Sequence, residues 1–207
     1  MVVAIQPIDR SFSHSIPQPE PDDQRITLNN ITWEQYETLL TIMGDRPGYR
    51  LTYLDGTLEI LMPSPEHEAI KKTIARLLER YAEELDILLQ SLGSATFRKQ
   101  LKAKGLEPDE CYCIDQIKDV PDFAIEINLT SGSIDKLVIY KGLGIPEVLM
   151  WKNKALILYD LRLDSPVIID RSQFFPQLDL KLLAQHVNLN NQPQSVKDFL
   201  KAIRSSA

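Results

Sequence analysis

Two acidic stretches in the middle of the sequence carry the residue types most able to do chemistry. They are residues 107–110 (EPDE) and residues 120–128 (VPDFAIEIN). Residues two and four apart on a β-strand share a face, so Glu126 would project with Asp122 and Asn128, while the alternate residues are apolar. Glu126 therefore lies mid-strand among hydrophobic residues. An ionised carboxylate there is costly unless it binds a metal or a cation, which indicates a functional site.

Asp109 and Glu126 are the carboxylates that we expect to hold a divalent ion. Mg²⁺ and Mn²⁺ prefer oxygen ligands, usually one or two carboxylates together with waters and substrate phosphates. In phosphodiester hydrolysis such an ion stabilises charge on the phosphate and lowers the pKa of a bound water, and a nearby lysine assists. Lys136 is the best candidate, because it lies one turn into the helix predicted after the Glu126 strand and its side chain can fold back.

Other polar residues near these stretches have structural interpretations beside functional ones. Asp122 follows a proline and is typical of a turn residue. His67 lies in the first turn of a predicted long helix, where a lone histidine more often packs or caps than acts as a base. Its neighbour Glu68 would support the carboxylate site if it faces the sheet. Cys111 and Cys113 lie two apart in a predicted strand, which indicates reduced thiols and neither a disulfide nor a zinc site.

The charge balance limits how the chain can bind nucleic acid. A net charge of −6 counts against a protein that coats nucleic acid, since phosphate binding needs an excess of basic residues on some face. Arg98, Lys99, Lys102 and Lys104 form the basic cluster closest in sequence to Asp109. They are candidates for phosphate contacts, and a solvated loop with ordinary lysines is an equally weighted alternative.

The elements that must position these residues follow from hydrophobic periodicity and turn signals. Thr32 and Gln35 form a capping-box pattern, Asp55-Gly56 is a hairpin turn, and Ser64-Pro65 opens a long helix that ends near Leu85. Further strands are predicted over 87–92, 111–114, 123–129, 148–151, 155–161 and 167–169. Further helices are predicted after Ser133 and over 178–187 and 194–204, and residues 101–108 are predicted as a loop. Together they predict a helix, sheet and helix sandwich of mixed α/β type.

The chain is expected to contain one domain, residues 29–207, preceded by a weakly structured arm, residues 1–28, with prolines at 7, 17, 19 and 21. No apolar run approaches the roughly 20 residues that span a bilayer, and no signal-peptide pattern opens the chain, so we expect a cytoplasmic protein without membrane contact. No glycine loop for nucleotides and no nucleophile elbow is present, which argues against an NTPase or an α/β-hydrolase.

Six short motifs occur in an order and spacing that resembles a known family. They are YLDGTLE (53–59), MPSPEHE (62–68), EPDE (107–110), PDFAIE (121–126), Asp135-Lys136 with Tyr140, and GIPEV (144–148). This series, covering roughly residues 30–165, is similar to the Uma-two (Uma2) family of restriction endonuclease-like proteins, within the PD-(D/E)XK nuclease superfamily. The resemblance implies a restriction-endonuclease-like fold, a mixed β-sheet flanked by helices, and a nuclease dependent on Mg²⁺ or Mn²⁺ with DNA as its partner.

The resemblance also implies roles for particular residues. Asp109 corresponds to the strand aspartate and Glu126 to the acid of the (D/E)XK element, but Asn128 stands where that motif places its lysine. Lys136 would then supply the ammonium from the following helix. Glu59, on the second hairpin strand, either adds a carboxylate to the same cleft or is a solvated strand residue.

Two functional interpretations remain open at this point. One is a metal-dependent endodeoxyribonuclease that uses Asp109, Glu126 and Lys136. The other is a catalytically degenerate relative that binds nucleic acid or protein, which Asn128 and the acidic balance favour. A homo-oligomer formed through the arm or the strand around Trp151 is compatible with both.

Overall fold

The computed structural model describes residues 22–44, 48–130 and 132–206. Within these residues the strands are β1 (Gln24–Leu28), β2 (Arg50–Leu54), β3 (Thr57–Met62), β4 (Leu89–Gly93), β5 (Phe97–Lys99), β6 (Lys104–Leu106), β7 (Glu110–Ile114), β8 (Phe123–Asn128), β9 (Glu147–Lys152), β10 (Ala155–Asp160) and β11 (Val167–Ile169). The α-helices are α1 (Trp33–Met43), α2 (Pro65–Glu84), α3 (Lys136–Leu143), α4 (Leu180–Gln185) and α5 (Gln192–Ser206). The mixed α/β composition predicted from the sequence is confirmed.

The strands form two sheets. The smaller has the order β1-β3-β2-β6-β5, and all its pairs are antiparallel. The larger has the order β11-β10-β9-β8-β7-β4 and is antiparallel except for β8 and β9. A parallel pair needs a crossover, and α3 provides it, because it lies between β8 and β9 in the chain. This crossover brings the start of α3 next to the end of β8.

Helix α2 packs on one face of the larger sheet. Its buried residues Ile70, Ile74 and Leu77 join Phe123 and Ile125 of β8 in the main hydrophobic core, to which α5 also contributes. A second cluster, which includes Ile139 and Leu143 of α3, contains Ala124 and Val148 from the same sheet. Helices thus cover the apolar residues of β8, and the strand that carries Glu126 is central and buried.

Several local patterns form the structures that the sequence predicts. Thr32 and Gln35 make the reciprocal capping-box hydrogen bonds at the start of α1. Asp55 and Gly56 both have positive φ, at 47° and 90°, and join β2 to β3. The Ser64 side chain caps α2, with Pro65 at its first position.

Three expectations from the sequence need correction. Residues 24–28, assigned to a weakly structured arm, form β1 along the edge of the smaller sheet, whereas residues 1–21 lie outside the described part of the chain. The predicted loop 101–108 contains β6, which pairs with both β2 and β5. Lys136 is the first residue of α3, capped by Asp135, and does not lie one turn into the helix. The short strands were missed because pairing across the sheet outweighs weak local propensity.

None of the helices in the described ranges is both long enough and apolar enough to cross a membrane.

Candidate active site

Asp109 is placed beside Glu126 by the way in which β7 ends. Strand β7 pairs with β8 from Tyr112 to Glu110, and Glu110 lies opposite Ile125. Beyond that point Oδ2 of Asp109 accepts the backbone N–H of Ile127 at 2.8 Å. The carboxylate therefore takes the place of a strand partner next to Glu126. Asp109 and Glu126 are each 2% exposed, so both charges are withdrawn from water.

Lys136 and Tyr140 of α3 bind the Glu126 carboxylate. Lys136 Nζ donates to Oε1, and the Tyr140 hydroxyl donates to Oε2 at 2.6 Å. Residues four apart lie on one face of a helix, which explains how both side chains reach the same carboxylate. Burial raises the pKa of Glu126, and the negative charge of Asp109 adds to this, while Lys136 opposes it. Burial lowers the pKa of Lys136, but attraction to Glu126 and Asp109 outweighs it and the net shift is upward.

His67 connects the carboxylate pair to Asp23, which lies just before β1. It is fully buried at the third position of α2, with Nε2 2.9 Å from Asp109 Oδ1 and Nδ1 3.0 Å from Asp23 Oδ2. Burial lowers the pKa of His67, but its hydrogen bonds to the carboxylates of Asp109 and Asp23 outweigh burial and raise the pKa to about 9. For the acid Asp109 burial has the opposite effect and raises the pKa, but His67 and Lys136 outweigh it and lower the pKa to about 2. At neutral pH His67 is therefore a cation that donates to both aspartates.

Glu59 lines a cavity of about 210 Å³ together with Glu126, Lys136, Asn128 and Arg25. It is 1% exposed, which excludes the solvated alternative. Its Oε1 lies 2.6 Å from Arg25 Nη1. On its other side, Oε2 accepts the backbone N–H of Ser133 at 3.0 Å. Of the two alternatives that the sequence left open for Glu59, the structure agrees with a position in the cleft. There the Glu59 carboxylate is the partner of Arg25.

Arg25 ties β1 to the loop after β8. Its Nε donates to the Thr130 hydroxyl at 3.0 Å, in addition to its pairing with Glu59. Gly132 lies close by, and a Cβ added there would stand 2.8 Å from Glu59 Oε2. Backbone and side chains therefore pack tightly around the Arg25 and Glu59 pair, at one wall of the cavity.

Three of the four residues of the basic cluster proposed for phosphate contacts engage protein groups in the structure, and the fourth, Lys102, is exposed. Arg98 lies 3.1 Å from Glu37, Lys99 donates to the Leu143 carbonyl at 2.5 Å, and Lys104 packs where a Cβ on Gly142 would stand. The cations that line the cavity at Glu126 are instead Arg25, Lys136 and Lys152.

Asp122 stabilises a turn, and the two cysteines are buried in β7. Asp122 accepts the backbone N–H of Ile114 at 2.8 Å and the Lys118 ammonium at 2.6 Å, which closes the turn between β7 and β8. Cys111 and Cys113 are both buried and free, in agreement with the expectation of reduced thiols.

The structure adds Asp23, Arg25, His67 and Tyr140 to the residues around the predicted carboxylates. His67 and Tyr140 occur in the sequence motifs, but nothing in their spacing indicates their partners. Asp23 and Arg25 fall in the segment assigned to an arm. Their contacts lie 44 and 34 residues away in the chain, at His67 and Glu59, so local patterns could not show them.

The carboxylates suit a hard divalent ion in number and charge. Within residues 22–44, 48–130 and 132–206, no three histidine, cysteine or acidic side chains are grouped so that they could hold a metal alone. Mg²⁺ needs only one or two carboxylates, because it keeps several waters. Burial raises the pKa of Glu126 and the negative charge of Asp109 raises it further, and a divalent cation relieves repulsion of this kind. The donor set therefore fits such an ion.

Most of the chain matches the model of one protein family. The family model Uma2, described as "putative restriction endonuclease", matches residues 33–189. The chain belongs to this family. No curated protein matches the sequence. The match confirms the resemblance found in the sequence, and the two sheets flanked by helices agree with a restriction-endonuclease-like fold. Membership supports a nuclease-like function. The matched range includes Asp109, Glu126 and Lys136 but begins after Asp23 and Arg25.

Proposed function

We propose that this protein is a metal-dependent endonuclease that hydrolyses phosphodiester bonds in DNA, with Asp109 and Glu126 holding Mg²⁺ or Mn²⁺. The observation that carries the proposal is the burial of Asp109 and Glu126 next to each other, with His67 on Asp109 and Lys136 on Glu126. Hard divalent ions take one or two carboxylates as protein ligands, and such an ion would relieve the repulsion that Asp109 adds at Glu126. When bound, that ion supplies Lewis-acid stabilisation of the phosphate and a water of lowered pKa.

Lys136 has the role of the missing motif lysine in this proposal. Asn128 lines the cavity two residues after Glu126, and the ammonium reaches the same carboxylate from α3 instead. An ammonium held there stabilises negative charge as it builds up on the phosphate oxygens. The Tyr140 hydroxyl holds the second oxygen of Glu126 and so fixes the orientation of the carboxylate.

Glu59 and Arg25 also line the cavity. Arg25 supplies a guanidinium, the group best suited to a phosphate, and Glu59 holds it in place at 2.6 Å. Glu59 therefore takes part by orienting Arg25, and the three cations lining the cavity balance its three acids, so the cavity is less negative than the chain as a whole, with its net charge of −6. DNA as the substrate is supported by the family match.

One observation favours a second candidate, a catalytically degenerate module that binds nucleic acid or protein. Both oxygens of Glu126 are already bonded, to Lys136 and to Tyr140. If this arrangement persists in the presence of divalent ions, Glu126 completes a buried ion pair and has no catalytic role.

Cleavage of supercoiled and single-stranded DNA with Mg²⁺ or Mn²⁺ tests the proposal. We expect the wild type to cut and Glu126→Gln and Asp109→Asn to be inactive. Glu110→Gln is a matched control, because it removes the neighbouring buried carboxylate, which points to the opposite face of β7.

A calorimetric titration of Mn²⁺ on the same samples separates the two candidates. Binding that is lost in both site variants and kept in the control supports a metal site even where the DNA chosen is not cut. Absence of both cutting and Mn²⁺ binding in the wild type would favour the non-catalytic module.

A further inference from the structure

A second cavity, of about 560 Å³, is lined by Arg50, whose Nε lies 3.9 Å from Asp109 Oδ1. It is lined by residues of β2, α2 and the segments before β5 and β7, among them Arg50, Glu68, Lys71 and Thr96. The metal site described above uses none of these four side chains. The cavity therefore requires its own explanation.

Two buried cations line this cavity together with two carboxylates, Glu68 and Glu107, and both cations contact Glu68. Arg50 and Lys71 are each 8% exposed. Glu68 Oε1 lies 3.3 Å from Arg50 Nη2, and Glu68 Oε2 lies 2.5 Å from Lys71 Nζ. Glu68 itself is 44% exposed in its side chain, so it can turn into water at little cost. Buried charges need partners, and Glu68, the carboxylate that contacts both cations, is only loosely held, while Asp109 lies 3.9 Å from Arg50.

Arg50 also has an unused donor. Its Nε is buried and has no hydrogen-bond partner among the described residues. Asp109 Oδ1 is 3.9 Å away, too far for a hydrogen bond, and already accepts from His67. A buried donor without an acceptor costs free energy, and such groups often serve a ligand. The guanidinium fork and a neighbouring ammonium are the pair of groups that proteins use to bind phosphate oxygens.

We propose that Arg50 and Lys71 bind a backbone phosphate of the nucleic acid, and that Glu68 takes the place of this phosphate in the ligand-free protein. The ligand is a phosphodiester with one negative charge, the same charge as the carboxylate that it displaces. The 3.9 Å between Arg50 Nε and Asp109 Oδ1 places the site next to the carboxylate pair, as a phosphate adjacent to the reacting one requires. The location rests on the proposed nuclease function, but binding itself requires no cleavage.

Glu68→Gln provides the sharpest test because it predicts a gain. Neutralising the competing carboxylate should tighten the binding of a short DNA duplex by about fivefold, measured by fluorescence anisotropy in EDTA. Glu66→Gln is the matched control, since it removes the same charge from the same first turn of α2 at an exposed position outside the cavity. A misfolded variant would bind DNA less tightly, so misfolding does not explain a gain in affinity. Equal affinities for the two variants would overturn the proposal.

Lys71→Met should remove one phosphate contact and so reduce the salt dependence of DNA binding. The slope of log K against log salt concentration should fall by about one when one phosphate contact is removed. Lys72→Met is the control, because Lys72 is the adjacent exposed residue of the same helix. An unchanged slope for Lys71→Met, or the same change in both variants, would contradict the assignment.

Titration with inorganic phosphate identifies the source of the ligand. Binding of duplex that depends on Glu68 and Lys71 supports a nucleic-acid backbone. If only inorganic phosphate responds to these substitutions and DNA does not, the site belongs to a free phosphate and the proposal is wrong. Because these measurements use EDTA, they can succeed even if the protein never cuts DNA, and they can fail while Mg²⁺-dependent cleavage is observed.

Discussion

The Nε2 atom of His67 lies 2.9 Å from Oδ1 of Asp109, in a contact from which water is excluded. This contact fixes one carboxylate of the proposed metal pair to the first turn of α2. Through its other nitrogen, His67 reaches Asp23 just before β1. A strand at the edge of the smaller sheet is thereby connected to the centre of the larger one.

The stability of the protein should depend on pH through this contact. The folded pKa of His67, about 9, exceeds its usual 6.5, so its contribution is fully present below about pH 6.5 and is lost as the pH rises through 9. Asp109 behaves in the opposite way, since its contribution is lost as the pH falls from 3.8 through about 2. We expect the thermal unfolding midpoint, measured in EDTA, to fall between pH 6.5 and 9.

His67→Gln should remove most of that alkaline decline, because glutamine does not titrate. His186→Gln, at the end of α4, is the control and should keep the wild-type decline. The same decline in His67→Gln as in the wild type would show that another group causes it.

Lys136→Met should destabilise the fold strongly. It leaves Glu126 buried with no cation, and breaking a buried pair in this way costs about 3–5 kcal/mol. Adding Glu126→Gln should restore part of the loss, since the remaining carboxylate charge is then gone. Urea unfolding of the two single variants and the double variant measures the coupling. Lys152→Met, an exposed lysine on the same cavity, should change little. Strictly additive losses would argue against the pair.

Arg25→Met should disturb β1 and the cavity together. The substitution leaves Glu59, which is 1% exposed, without its cation, and we expect a loss of about 3 kcal/mol in the free energy of unfolding. Hydrogen exchange should accelerate at the amides that pair β1 with β3. Arg204→Met removes an exposed ion pair with Glu84 and is expected to leave both measurements unchanged. Undisturbed exchange at β1 in Arg25→Met would contradict this role.

Two buried tyrosines should respond differently to the loss of their hydroxyl groups. The Tyr36 hydroxyl is buried without a partner among the described residues, whereas the Tyr112 hydroxyl donates to Glu79 at 3.1 Å. Tyr36→Phe should therefore be neutral or stabilising, and Tyr112→Phe should cost about 1 kcal/mol. Urea midpoints of the two variants provide the comparison, and a larger loss for Tyr36→Phe would point to a hydrogen bond that the structure lacks.

Local patterns in the sequence were sufficient for much of the framework. The capping box at Thr32, the turn at Asp55-Gly56 and the start of α2 at Ser64 depend on residues within a few positions of each other. The position of Glu126 in a buried strand also followed from alternation alone. These features could be predicted because their hydrogen bonds and backbone angles are determined by near neighbours.

The sequence by itself therefore determined the family, the main helices and strands, and the candidate carboxylates Asp109 and Glu126. Only the tertiary structure decided what surrounds them. His67 meets Asp23 and Asp109 across 44 and 42 residues, and Arg50 of β2 meets Glu68 of α2. The physical reason is that a buried charge takes whichever partner the packing of sheets and helices brings within reach. That packing depends on contacts far apart in the chain, which no local pattern encodes.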